Sequence, residues 1–194
     1  PDNGATWQDS LGTIAGIHAA VAQLSDGRLL AVGRGDNIDG SMPRSISSDM
    51  GRTWKYSASG FPPVGGGQRP LLLRLREGPL CLVSFTGNRR DPEPMPITDV
   101  SGRERMVTGM FAAVSHDDGE TWSNVRLVSD DGPGTEVETM DGRPFFMGFD
   151  SAEPGGYNSI WQAENGVVHL ITSRQHYEFN LKWLETPPPA EPVH

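Results

Sequence analysis

Ser115-His116-Asp117-Asp118-Gly119-Glu120-Thr121-Trp122 follows the template S-x-D-x-G-x-T-W. Ser47-Ser48-Asp49-Met50-Gly51-Arg52-Thr53-Trp54 follows it too, and Asp2-Asn3-Gly4-Ala5-Thr6-Trp7 is the tail of a third copy. A motif recurring at intervals of tens of residues marks a repeat architecture. Each copy reads as the tip of a β-hairpin. The Asp turns the chain by accepting hydrogen bonds from backbone N–H groups ahead of it. The Gly supplies a positive φ. Thr and Trp then open the return strand, where β-branched and aromatic side chains fit best. The Trp is expected to be mostly buried between neighbouring repeats. Asp2, Asp49 and Asp117 are therefore read as turn-formers rather than as chemistry.

Strands can be counted outward from these boxes. Segments 17–24 and 28–32 flank Ser25-Asp26-Gly27, a hairpin signal. Residues 44–47 enter the second box and 53–57 leave it. The pattern recurs with 70–75 and 79–85 around Arg76-Glu77-Gly78, then 110–115 and 121–128 around the third box. It recurs a third time with 157–163 and 167–172 around Glu164-Asn165-Gly166, followed by 179–184. Long loops are expected to run up to about Thr108 and over 129–144. Calling the strands of each unit A to D, the order is D, ABCD, ABCD, ABC. No segment shows helical periodicity, so helix content should be near zero.

The expectation is an all-β β-propeller of about three four-stranded blades, half of a six-bladed ring, over residues 1–185, with a Pro-rich extended tail over 186–194. Three blades do not close a normal ring. Either the chain is half of a larger protein or two copies form a homodimer of six blades. Because the chain opens within a box, the natural N-terminus is expected upstream of Pro1.

The 194 residues can bury one sizeable core, and 24 Gly with 16 Pro suit a turn-rich β protein. A net charge of -9 argues against nucleic acid or an anionic membrane as a general partner, and no apolar run approaches membrane length. Converging arginines can still hold a small anion. Cys81 lies in an apolar strand and reads as a buried, inert thiol. His18, His116, His169 and His176 show no metal-ligand spacing, so neither metal nor cofactor is expected. No signal peptide is visible, and the compartment stays open.

S-x-D-x-G-x-T-W boxes in four-stranded units resemble the sialidase (neuraminidase) superfamily of BNR or Asp-box proteins, over about residues 2–184. The resemblance implies a six-bladed propeller that cleaves terminal sialic acid or a related acidic sugar. It implies three arginines on the substrate carboxylate, an Asp acid/base, and a Tyr nucleophile assisted by a Glu. Carried over residue by residue, Arg34 falls on one arginine at the end of strand B. His18 occupies the Glu position, or Ala19 if the register slips by one. A histidine can accept a phenol proton near neutral pH, but it departs from the family's pair. Gly155-Gly156-Tyr157-Asn158 matches the Tyr segment, which makes Tyr157 the nucleophile candidate. Arg105 is nearest to a further arginine position. The first arginine and the Asp belong to blades outside these residues.

In this topology the D–A and B–C loops share one face, opposite the boxes. That face is expected to bring Asp36, Arg44, Gln68, Arg174 and His176 to a glycan or small acidic sugar, beside Arg34, Glu153 and Tyr177. Two readings follow. One is a sialidase-like exo-glycosidase. The other is a non-catalytic carbohydrate-binding or assembly module, or an inactive fragment, on the same scaffold.

Overall fold

A computed structural model describes residues 3–90 and 92–194. The first sheet pairs β1 (Ile17–Gln23), β2 (Leu29–Arg34), β3 (Pro43–Ser47) and β4 (Lys55–Ala58) in chain order. The second starts with β5 (Leu71–Arg74) and β6 (Leu80–Phe85). A separate hairpin, β7 (Met95–Thr98) and β8 (Glu104–Val107), then interrupts it before β9 (Met110–Ser115) and β10 (Ser123–Leu127) complete it. Another small hairpin, β11 (Thr135–Val137) with β12 (Phe145–Met147), precedes the third sheet. That sheet holds β13 (Ser159–Gln162), β14 (Val168–Ile171) and β15 (His176–Phe179). All pairings within the sheets are antiparallel. The four-, four- and three-stranded order matches the ABCD, ABCD and ABC units counted from the boxes, without the leading D strand.

Both complete boxes close on themselves. The Ser47 hydroxyl accepts from the Gly51 N–H at 2.8 Å, and Asp49 accepts from the Thr53 N–H and hydroxyl at 2.9 and 2.6 Å. Ser115, Asp117, Gly119 and Thr121 repeat these bonds at 2.8, 2.8 and 2.6 Å. The Asp thus reaches four residues ahead, farther than an ordinary Asx turn, while the Ser satisfies the Gly. Two consecutive left-handed residues make each tip: Met50 and Gly51, and Asp118 and Gly119. Asn3 and Gly4 share that backbone, at φ 55° and 83°, so the partial N-terminal box takes the same turn. Its Asp2 lies outside the described residues.

The core centres on the second sheet. Every residue of β6 and β9 is buried, and Phe85, Leu80, Leu82, Met110 and Phe111 fill the middle. Cys81 is fully buried within it, and burial pushes its thiol up to about 12, consistent with an inert residue. The flanking sheets leave apolar side chains exposed, chiefly on their outer strands, while β2 is buried over 30–34. Ile17 and Val21 on β1, Tyr56 on β4, and Trp161 and Ile171 on the third sheet are exposed. On the box face, the sheets are pinned together at their A–B turns. Asp118 of the third box accepts from the Ser25 N–H and pairs with Arg74. Gln162 donates to Glu77 at 2.8 Å and accepts from the Arg76 N–H at 2.7 Å.

Several expectations are corrected. The loop before Thr108 contains the β7–β8 hairpin, and the 129–144 loop contains β11. Residues 181–185 form a short helix, α1 (Leu181–Glu185), rather than the end of strand C; Asn180 caps it by accepting from the Trp183 N–H. The Pro-rich tail after it is tied to the fold: Pro188 accepts from the Val100 N–H, and the Val193 N–H donates to Asp131 O. No strand forms after the first box, and Trp7 is 91% exposed. Trp122 instead packs edge-on to Phe61 at 5.8 Å, as the repeat pattern requires.

Candidate functional site

Strand β1 starts irregularly. Its register with β2 shifts between Ile17 and Ala20, and within that bulge His18 has φ 51°, a left-handed conformation uncommon outside glycine. Bulges of this kind re-aim a side chain, and strained backbone of this kind clusters at functional sites. Arg34, at the end of β2, is 8% exposed and donates to His18 Nδ1 from Nε at 3.4 Å and from Nη2 at 3.2 Å. Its Nη1 donates to Gly65 O at 3.2 Å. Arginine cannot accept, so Nδ1 carries the lone pair and the proton of neutral His18 sits on Nε2.

Tyr157 approaches from the third sheet. Its ring lies 5.7 Å from that of His18, and the Arg34 guanidinium carbon stands 5.9 Å from its centroid. The ring is half exposed, and among the described residues its hydroxyl has no hydrogen bond. Its backbone N–H is fixed by Ser173 Oγ at 3.0 Å. Asp36 clips the entry of β1 by accepting from the Gly16 N–H at 2.7 Å. With Gly35, Pro63, Gly65, Asn88 and Glu93 it lines a cleft of about 370 Å³ beside Arg34. His18, Arg34, Tyr157 and Asp36 thus share one region of one face.

The remaining candidates are engaged elsewhere. Gln68 is fully buried and ties three loops, accepting from the Gly65 N–H and donating to Gly87 O and Pro154 O at 2.7 and 3.1 Å. Its amide is thereby enclosed between these loops. Arg44 pairs with Glu120 of the third box at 2.7 Å, bridging the first two sheets. Arg105 lies 3.6 Å over the Phe149 ring and pairs with Asp150 at 3.3 Å, bracing the 129–151 loop. His176 faces outward from β15 and is exposed, with His169 and Glu178 as neighbours.

Arg174 belongs to a network whose pairings the sequence did not show. Its Nη1 lies 3.3 Å from Glu153 and 2.7 Å from Gly155 O, and Nη2 lies 3.3 Å from Asp141. Glu153 is fully buried and also accepts from the Thr172 hydroxyl at 2.8 Å and the Tyr177 hydroxyl at 3.0 Å. Burial raises the Glu153 carboxyl despite these partners. Burial and the adjacent carboxylate push the Tyr177 phenol far up, so it stays protonated at neutral pH. The network holds the loop that presents Tyr157. Segment 150–153 runs parallel beside Thr108, with the Ala152 N–H donating to Thr108 O at 2.9 Å. Gly109, at φ 109°, permits this approach, because a Cβ there would meet Ala152 O at 2.3 Å. Glu153 and Tyr177 both fall on the expected face in the sequence. Only the docking of this loop against β9 pairs them.

The family model described as a BNR repeat-like domain matches residues 1–170. The chain belongs to this family. A BNR repeat-like protein is related to the sialidase/BNR-repeat superfamily, in agreement with the boxes and the nearly all-β fold. Its fold is similar to the crystal structure of a protein of unknown function from Dyadobacter fermentans DSM 18053, with a TM-score of 0.50 and 17% identity. The match covers 86% of this chain and 52% of that one, so the chain spans about half the length of that relative. No curated protein matches the sequence. Among the described residues, no helix is long and apolar enough to cross a membrane.

Proposed function

We propose that this BNR repeat-like chain is a half-ring of a sialidase-like exo-glycosidase acting on terminal sialic acid or a related acidic sugar. The convergence of Arg34, His18 and Tyr157 carries the reading. Arg34 binds the sugar carboxylate by charge-assisted hydrogen bonds. In doing so it leaves His18, whose Nδ1 lone pair becomes free to accept the Tyr157 phenol proton. The phenolate oxygen attacks the anomeric carbon, and the bond to the leaving-group oxygen breaks. The acid that protonates that oxygen comes from blades beyond these residues or from a second copy. The exposed faces of both flanking sheets support a ring completed by another half.

Turnover of a fluorogenic sialoside by the full ring tests this reading. Loss of turnover in a folded Tyr157→Phe variant is the expected result. Unchanged turnover in that variant overturns Tyr157 as the nucleophile.

The second reading is a non-catalytic carbohydrate-binding module. His18 in place of the family's Glu, with Arg34 donating into it, favours it. Glycan-array binding without turnover is its expected signature.

A further inference from the structure

We propose that His169, His176 and Glu178 form a divalent transition-metal site, of the zinc type, on the outward face of the third sheet. Among the described residues the cluster makes no side-chain hydrogen bond, ion pair or ring contact with Arg34, His18 or Tyr157, and it does not depend on the glycosidase reading.

Strand pairing makes the cluster. His169 lies directly across from Glu178 and Ile171 from His176, so His176 and Glu178, two residues apart on β15, flank His169 on β14. Residues of one strand two apart share a face, and this face is the exposed one. The inward residues of the same strands, Val168, Leu170 and Phe179, are buried in the core. Period-two alternation therefore commits both imidazoles and the carboxylate to the same side.

The atoms form a compact triangle. His169 Nδ1 is 3.1 Å from His176 Nε2 and 3.3 Å from Glu178 Oε1, and His176 Nε2 is 3.9 Å from the same oxygen. A tetrahedral zinc ion with bonds of about 2.0–2.1 Å holds its ligands roughly 3.3 Å apart. Two of the three separations match that figure, and the third is somewhat wider. Two imidazoles and one carboxylate are a donor set suited to zinc, copper or nickel rather than to magnesium or calcium. Three protein ligands leave a position for water or for a group from whatever packs on this face. Without an ion, two nitrogen lone pairs this close must share a proton, and the carboxylate competes for the same Nδ1. Neutral imidazoles with a bound cation satisfy all three atoms at once. His-x6-His is not a recognisable metal spacing along the chain; the β14–β15 hairpin brings the two residues together.

The test uses untagged, chelator-treated full chain titrated calorimetrically with Zn²⁺ alone, and separately with Co²⁺ while the visible d–d bands are followed. Saturable uptake of one ion per chain and a tetrahedral-type Co²⁺ spectrum are expected. His169→Gln and Glu178→Gln should each weaken binding by at least about tenfold. His116→Gln should leave it unchanged, since His116 lies outside the cluster and neighbours Glu185. These side chains are partly or largely exposed, so the variants should keep the wild-type circular dichroism and melting temperature. No saturable uptake by the wild-type chain overturns the proposal. So does uptake that survives His169→Gln combined with His176→Gln, or that falls equally in His116→Gln.

Discussion

Arg34 donates to His18 Nδ1 through both Nε and Nη2, at 3.4 and 3.2 Å, from the end of one strand into the bulge of its neighbour. The contact fixes the tautomer of a histidine held in a left-handed backbone. Neutral His18 should show the Nε2–H pattern in long-range ¹⁵N–¹H spectra. Addition of an acidic sugar that recruits Arg34 should shift the His18 signals. Arg34→Lys keeps the charge but loses the two-pronged geometry, and should weaken acidic-sugar binding by about 1.5–3 kcal/mol. Unchanged binding in that variant removes Arg34 from the ligand site.

Glu153 anchors Arg174, Thr172 and Tyr177 while fully buried. Replacing it with Ala strips Arg174 of its buried partner and should cost about 3 kcal/mol in urea unfolding. Tyr177→Phe removes one neutral donor and should cost about 1 kcal/mol. If the network only presents Tyr157, Tyr177→Phe should leave sialoside affinity within about twofold of wild type, a difference under roughly 0.5 kcal/mol.

Arg126 and Asp131 are ion-paired and almost fully buried, and Arg126 also stacks 3.9 Å over Trp183 and donates to Trp183 O and Thr186 O. Burial pushes the Arg126 guanidinium down and the Asp131 carboxyl up, so desolvation outweighs attraction on both sides. Arg126→Met should cost about 3 kcal/mol near neutral pH. Loss of Arg126 removes the attraction that offsets burial, so the Asp131 carboxyl rises further in the variant, which gains more than the wild type from proton uptake on folding. The variant's deficit should therefore shrink as pH falls toward 5, and parallel urea curves at the two pH values measure it.

The box aspartates titrate in the opposite sense. Hydrogen bonds from Thr53 and Thr121 hold Asp49 and Asp117 at about 2. A carboxyl depressed on folding stabilises the fold above its unfolded value. That contribution is lost as pH falls from about 4 toward 2. Thermal melts of Asp49→Asn and Asp117→Asn should be flatter than wild type across that window. Equal slopes would show that the boxes contribute nothing to acid sensitivity.

If two copies complete a ring, light scattering should give a particle of about twice 21.0 kDa. A charge placed on an open face, as in Val21→Glu, should then return it to one chain. A monomer across micromolar concentrations is the contrary outcome.

The fold was legible wherever structure is local. Three short hairpin turns, Asp26-Gly27, Glu77-Gly78 and Asn165-Gly166, carry the same bond pattern between their flanking residues. The boxes announce themselves by side-chain bonds that span four residues or fewer. Arg34 and Tyr157 could be placed because strand ends follow from strand counts. The partners of Gln68, Arg44, Arg105 and Arg174 were not legible, because Gly87, Glu120, Phe149 and Glu153 lie far from them in sequence. Helix α1 was hidden by its length, since five residues are too few for a period.

The self-contained boxes also set an order of assembly. Their bonds close over at most four residues, so each tip can form before the sheet that carries it. β3 with β4, and β9 with β10, can then zip from those tips. The β6–β9 pairing must instead enclose the whole β7–β8 excursion, and it carries the most buried residues of the core. Loop closure comes before any reward from those contacts, so the middle sheet should complete late, with its tightest packing formed last.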